Sequence, residues 1–177
     1  MVAEDRLISS VDRITIVDSI DRNFGWSASP QTTEGFFGMS PREIRDYVAQ
    51  AKRDPRTENI EALWRAVFLL KAWYFLPARD DEGPAFPTAS IIDGGSWLLA
   101  FTNVRRLEEF ARTAGREADD GSVPLLVLDP GESMRRILEV RNSIAGVIFN
   151  VDSPSTFRAP VEALQAYAEH FDVPVES

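Results

Sequence analysis

Residues 88–102 read TASIIDGGSWLLAFT. Two short apolar runs flank the polar sequence Asp93-Gly94-Gly95-Ser96. Both glycines tolerate the positive φ angles that tight hairpin turns require. The sequence therefore predicts two antiparallel strands joined as a β-hairpin.

Helices and strands alternate downstream of this hairpin. Thr102 is predicted to cap a helix with an apolar face, and residues 123–128 are predicted to form a strand. The sequence Asp129-Pro130-Gly131-Glu132 combines a cap, a proline at the first helical position and an acidic third residue, which indicates another helix start. A buried strand over 146–150 and a final helix over 161–171 complete this half of the chain.

Two helices and a strand are predicted upstream of the hairpin. The capping box Ser40-Pro41-Arg42-Glu43 indicates a helix that begins at Pro41. A second helix carries an apolar stripe and is expected to be largely buried by its end at 68–70. The aromatic run 73–76 is predicted to be a strand that Pro77 ends. This order indicates an α/β (α+β) fold, with a mixed β-sheet of about five strands, a β-hairpin and flanking helices.

The composition excludes several kinds of chemistry. The 177 residues contain no cysteine and a single histidine. Thiolate catalysis, iron–sulfur clusters, disulfides and sites with two histidines are therefore excluded. A net charge of −9 argues against nucleic acid and anionic membranes as partners. The chain has neither a long apolar run nor a signal sequence, so a cytoplasmic location is predicted.

Candidate chemical motifs fit structural interpretations better. The acidic clusters Asp80-Asp81-Glu82 and Asp119-Asp120 lack the spacing of a calcium loop. Gly94-Gly95-Ser96 joins two strands and lacks the lysine and helix of a phosphate-binding loop. Ser133 lacks the second glycine of a nucleophile elbow. His170 follows the periodic part of the last helix, where its charge favours the helix C-terminus.

Two arginine pairs, Arg105–Arg106 and Arg135–Arg136, are the remaining candidates. Guanidinium groups suit carboxylates and phosphates. Both pairs lie within predicted helices, where neighbouring side chains point in different directions. Solvated helix faces are the better interpretation, and the sequence predicts no catalytic, cofactor-binding or metal-binding residue.

Residues 1–56 are predicted to be an N-terminal extension with one strand and one helix, preceding a domain over residues 57–177. The extension carries four aromatic side chains in a stretch that is rich in glycine, serine and threonine: Phe24, Trp26, Phe36 and Phe37. Loops seldom carry this much apolar surface unless it is buried or meets a partner. These four residues form the predicted interaction patch.

Several motifs from Ala62 onward occur in the order seen in a known family. They are Ala62-Leu63-Trp64, Trp73-Tyr74-Phe75-Leu76-Pro77, Leu99-Ala100-Phe101-Thr102, Arg105-Arg106-Leu107-Glu108-Glu109-Phe110-Ala111 and Gly146-Val147-Ile148-Phe149-Asn150 with Ser153-Pro154 and Phe157. On these motifs residues 57–170 resemble the SseB N-terminal-domain family, named for enhanced serine sensitivity. The resemblance implies an α/β domain and a cytoplasmic bacterial protein. It implies no catalytic residue.

Three functional hypotheses follow. The first is a non-enzymatic protein-interaction or regulatory module, whose partner is another protein or a second copy in a homodimer. The second is a small-ligand-binding protein or an enzyme using carboxylates and arginines, which needs a deep pocket of about 300–1,000 Å³. The third is an immunity-type protein that presents an acidic face to a basic toxin.

Overall fold

The computed structural model describes residues 43–78 and 85–175. Within these ranges the chain forms five helices and six strands. In chain order they are α1 (Ile44–Arg53), α2 (Thr57–Phe68), β1 (Trp73–Phe75), β2 (Ala89–Ile92), β3 (Gly95–Phe101), α3 (Val104–Thr113), β4 (Leu126–Leu128), α4 (Pro130–Glu139), β5 (Gly146–Phe149), β6 (Phe157–Pro160) and α5 (Val161–His170).

The strands form a mixed sheet in the order β4-β1-β3-β5-β6. β2 pairs antiparallel with the first part of β3, and β1 pairs antiparallel with its last residues, Ala100 and Phe101. β5 lies parallel to β3 on the opposite edge, with Leu98 beside Val147. The predicted α/β class with a mixed sheet is confirmed, and β3 and β5 end at the same side of the sheet.

Alternate side chains of the central strands enter two separate apolar clusters, as the two-residue period of a strand requires. Leu98 and Ala100 belong to the cluster that includes side chains of α1, α2, α4 and α5. Leu99 and Phe101 belong to the cluster beneath α3. Helices therefore cover both faces of the sheet, which explains why β3 and β5 are apolar on both sides.

The hairpin turn is shorter than the sequence predicted. Asp93 (φ 52°) and Gly94 (φ 80°) are its two residues, and positive φ at both is typical of a type I′ turn. Gly95 and Ser96 already belong to β3. Gly95 therefore does not adopt the positive φ expected of it.

The start of α4 is confirmed and the start of α3 is corrected. Asp129 Oδ1 accepts a hydrogen bond of 2.9 Å from the backbone N–H of Glu132, as the sequence predicted. At α3 the cap is Asn103, whose Oδ1 accepts a bond of 3.0 Å from the Arg106 N–H. The predicted cap, Thr102, is wrong because its backbone and side chain donate to another residue.

α1 begins at Ile44, so the prediction that Glu43 is the third residue of this helix is wrong. Glu43 is the N-cap, has an extended backbone (φ −72°, ψ 150°) and makes no side-chain cap bond. Ser40 and the two residues after it lie outside the described ranges. Ile44 and Tyr47 pack against the core together with buried Val48. Burial of this apolar face, which stabilises helices more than local caps do, accounts for the observed start.

β6 is the strand that the sequence analysis did not predict. Its four residues pair antiparallel with β5, from Phe149 beside Phe157 to Gly146 beside Pro160. The sequence of β6, Phe157-Arg158-Ala159-Pro160, contains no β-branched residue. Proline is tolerated at the edge of a sheet, so only the pairing with β5 identifies the strand.

Candidate functional site

A groove of about 1410 Å³ crosses the C-terminal end of β3. α1 and α2 form one wall, and Thr102, Asn103 and the first turn of α3 form the other. Ser155, in the loop after β5, also lines it. Ligands of open α/β sheets bind outside the carboxyl ends of parallel strands, and β3 and β5 are the parallel pair here.

The groove contains exposed apolar side chains. Leu69, directly after α2, is 77% exposed, and Val104 at the start of α3 is 37% exposed. Half-buried Ile44, Tyr47 and Leu70 extend this apolar surface along the wall. The expectation that the chain is buried through Leu69 is wrong. Leu69 leaves the α2 stripe and faces solvent inside the groove.

The charged groups of the groove are mostly cationic, although the whole chain carries −9. Four arginines line it against two glutamates: Arg45, Arg65, Arg105, Arg106, Glu43 and Glu109. Glu109 pairs with both Arg105 (2.9 Å) and Arg106 (3.7 Å). The Arg65 guanidinium lies 4.9 Å from the centre of the Phe171 ring. We call this surface the arginine groove.

Buried hydrogen bonds join the segment that follows β3 to the segment that follows β5. The backbone N–H and the hydroxyl of Thr102 donate to Asn150 Oδ1 at 3.0 and 3.2 Å. Asn150, which directly follows β5, donates in turn to the carbonyl of Ser155 at 3.4 Å. Asn150 is 1% exposed and has a φ of 51°, a conformation that asparagine tolerates better than most residues. This contact fixes two groove-lining residues relative to each other.

Replacing Asn150 with alanine is expected to lower the free energy of unfolding by about 3 kcal/mol. Roughly 2 kcal/mol comes from the buried donors of Thr102 left without an acceptor, and about 1 kcal/mol from placing a Cβ at positive φ. Asn150→Gly removes the same hydrogen bonds without the backbone strain, and should lose about 1 kcal/mol less. Urea denaturation followed by circular dichroism measures both. Equal losses in the two variants would show that the backbone conformation contributes nothing.

The structure places most sequence candidates away from this groove. Ser133 is fully buried, and its hydroxyl donates to the Asp129 carbonyl at 2.7 Å. His170 ends α5 on the surface, beside Phe171. Hydrogen bonding from Ser122 lowers the pKa of Asp120 in an exposed loop.

The two arginine pairs differ in their placement. Hydrogen bonds from Arg135 and then Arg136 lower the pKa of Glu132 to about 2, so this pair is engaged along its own helix. Arg105 is exposed and Arg106 half-buried, and both line the arginine groove. The sequence analysis interpreted Arg105 and Arg106 as part of a solvated helix face. The structure shows that this face is one wall of the groove.

Several predicted features lie outside the described residues. They include the strand at 13–17, the acidic cluster Asp80-Asp81-Glu82, and the patch of Phe24, Trp26, Phe36 and Phe37. Glu43, the first described residue, is itself part of the groove wall.

The sequence analysis did not predict the groove, although one signal for it existed. The buried α2 positions Ile60, Leu63, Trp64, Val67 and Phe68 define a single face. Leu69 falls off that face by about 100° of helical rotation from Phe68. A large apolar residue off the buried stripe indicates either exposure or a contact elsewhere.

Comparison with protein-family models, with curated proteins and with solved structures found no match to this chain. Over residues 43–78 and 85–175, no helix is long and apolar enough to cross a membrane. The same ranges hold no group of three or more His, Asp or Glu side chains suited to a metal ion.

Proposed function

We propose that this chain is a non-enzymatic protein-interaction or regulatory module of the SseB N-terminal-domain type, in a cytoplasmic bacterial protein. Its binding surface is the arginine groove. Its partner is a peptide segment of another protein in which aliphatic or aromatic anchors adjoin a carboxylate. The observation that supports this most is Leu69, which is 77% exposed inside a concave surface rimmed by arginines.

The size and lining of the groove favour a peptide over a small molecule. Its volume of about 1410 Å³ exceeds the roughly 300–1,000 Å³ typical of small-molecule sites. Exposed Leu69 and Val104 offer anchor positions to apolar side chains. Burying one exposed leucine contributes about 1.5–3 kcal/mol. This gain offsets part of the association cost of about 4 kcal/mol or more, which favours a transient complex.

The arginines supply the preference for an acidic partner. Arg105 and Arg106 share the single carboxylate of Glu109, so an incoming carboxylate meets an excess of guanidinium donors. Hydrogen bonds between guanidinium and carboxylate groups are about twice as strong as neutral ones. The N-terminus of α3 lies beside these side chains and adds a positive dipole end.

The enzyme hypothesis has less support from this surface. Catalysis by paired carboxylates needs two acids that converge on a substrate. In the groove, Glu109 is engaged by Arg105 and Arg106. The immunity hypothesis requires an acidic face, whereas the groove is cationic.

Selection of binding peptides from a displayed random library tests the proposal. The full chain is expected to enrich peptides with an acidic residue beside apolar anchors, and Leu69→Asp should reduce their binding at least about ten-fold, as loss of one 1.5 kcal/mol anchor implies. Surface substitutions of this kind leave stability within about 0.5 kcal/mol, so the loss would not reflect unfolding.

The matched control is Ile91→Asp, which changes an apolar residue of similar exposure (72%) on β2, outside the groove. It should bind the enriched peptides as the unchanged chain does. If no peptides are enriched, or if both variants bind equally, the arginine groove is not the interaction surface.

A further inference from the structure

We propose that Glu109 competes with the partner for the guanidinium groups of Arg105 and Arg106, and that it thereby excludes acidic ligands without apolar anchors from the arginine groove. This inference rests on the proposed function, because it concerns how the same surface selects its partner. Glu109 is then a specificity-determining residue, and the carboxylate of a bound partner takes the place of its own.

The carboxylate of Glu109 occupies the position that a partner carboxylate needs. Its Oε1 accepts a hydrogen bond of 2.9 Å from Arg105 Nε, and its Oε2 lies 3.7 Å from Arg106 Nη1. One carboxylate thus bridges two guanidinium groups, and all three side chains line the groove. An incoming carboxylate finds the same donors already engaged.

This contact is loose enough to be exchanged. The side chain of Arg105 is 86% exposed and that of Glu109 is 47% exposed, and exposed ion pairs of this kind contribute little to stability. On α4, by contrast, Glu132 lies 2.6 Å from Arg135 and 2.9 Å from Arg136, and these three side chains are no more than 33% exposed. The looser of the two arrangements is the one that lines the groove.

The order of charges along α3 argues against a purely structural role for this contact. α3 has no acidic residue in its first turn, where Arg105 and Arg106 lie, whereas each of the other four helices has one there. Cations are unfavourable beside the positive end of a helix dipole. Arginine four residues before glutamate is also the weaker of the two possible orders. Helix stability therefore does not explain this arrangement, whereas binding of a carboxylate does.

Competition by Glu109 makes the apolar anchors of a partner necessary. A partner carboxylate that replaces Glu109 exchanges one ion pair for another, so it gains little affinity by itself. Burial of apolar side chains against Leu69 and Val104 has no such competitor and supplies the net affinity. Specificity often depends on an element that disfavours the wrong ligand, and Glu109 is that element here.

Glu109→Gln removes the competing charge and keeps the size of the side chain. Peptides selected against the full chain should bind this variant about three-fold more tightly, within the range measured for exposed ion pairs. If Glu109 served only to hold the two arginines in place, its loss would weaken binding instead.

The matched control is Glu108→Gln, which makes the same change of charge on the same helix. Glu108 lies 3.5 Å from Arg112 and outside the groove, so this variant should bind the peptides as the unchanged chain does. Equal or weaker binding by Glu109→Gln, or the same gain in both variants, overturns the inference and leaves the proposed function standing.

Citrate separates this inference from the proposed function, because it carries carboxylates but no apolar anchor. It is titrated into the unchanged chain and both variants while the Nε–H signals of Arg105 and Arg106 are followed by nuclear magnetic resonance. Glu109→Gln is expected to bind citrate about three-fold more tightly than the other two chains. Equal affinity in all three chains, or no binding, overturns the competition. If Leu69→Asp does not weaken peptide binding, the proposed function fails, and the citrate titration still decides the role of Glu109.

Discussion

Replacing Gly146 with alanine is expected to lower the free energy of unfolding by about 3 kcal/mol or more. A Cβ at this position would lie 2.1 Å from the Ala159 carbonyl oxygen and 2.7 Å from Pro160 Cα. Both atoms belong to the backbone of β6, which pairs with β5 at this residue. Overpacked cores lose about 1–3 kcal/mol, and a clash with paired backbone belongs at the upper end because no side chain can turn away. The midpoint of urea denaturation measures the loss.

The control for this substitution is Gly115→Ala. Gly115 has a φ of 63° and no atom within 4 Å of the position of an added Cβ. Alanine there meets backbone strain alone, which costs about 1–2 kcal/mol. If Gly146→Ala lost no more stability than Gly115→Ala, the close approach of β6 to β5 would be contradicted.

Trp64→Ala is the second change with a large expected effect, a loss of about 3–5 kcal/mol in the free energy of unfolding. Trp64 is 1% exposed and joins α2 to three other elements. Its ring stacks on Tyr167 at 5.5 Å and meets the rings of Phe149 and Phe157 edge-on at 5.9 and 5.4 Å. Truncation leaves a cavity that none of these rings can fill. Circular dichroism during chemical denaturation measures the effect.

Trp64→Phe is the matched variant, because it keeps an aromatic ring among the same neighbours. It should cost about 1–2 kcal/mol, less than half the loss of the alanine variant. Burial, followed by the charge of Glu61, raises the pKa of Tyr167 to about 12. Removing the stacked ring exposes the phenol, so in Trp64→Ala its pKa should fall toward 10.0 in a spectroscopic titration. An unchanged pKa would show that Trp64 does not shield Tyr167.

The predictions from sequence succeeded where neighbouring residues determine the conformation. Asp93-Gly94 forms a turn because adjacent residues able to adopt positive φ close a hairpin by themselves. Asp129 caps α4 because its acceptor and the donor of Glu132 are three residues apart. Both features depend on a few consecutive residues.

The predictions failed where distant residues compete with a local preference. Thr102 has a capping side chain, yet it donates to Asn150, a residue 48 positions away. Asn103 then provides the cap of α3. β6 carries no strand pattern of its own and exists through its hydrogen bonds to β5. No local rule contains these long-range partners.

In the candidate site, too, the sequence indicates the chemistry of single residues but not their arrangement in space. The chemistry of Arg105 and Arg106 suits carboxylates and phosphates, although the sequence favoured a solvated helix face for them. Their place on a concave surface depends on how α3 lies relative to α1 and α2 across the end of the sheet. Leu69 carried a weak sequence signal, because it lies off the buried stripe of α2. Its role as a groove residue appears only when α3 is in place.

The hairpin in residues 88–102, the central strands and the mixed α/β class were determined by the sequence alone, since short-range turn chemistry and apolar periodicity specify them. Only the tertiary structure reveals β6, the hydrogen bonds from Thr102 to Asn150 and the arginine groove. The physical reason is that a groove is the space between elements. Its shape and charge arise from side chains separated by tens of residues, which only the packing of the whole domain brings together.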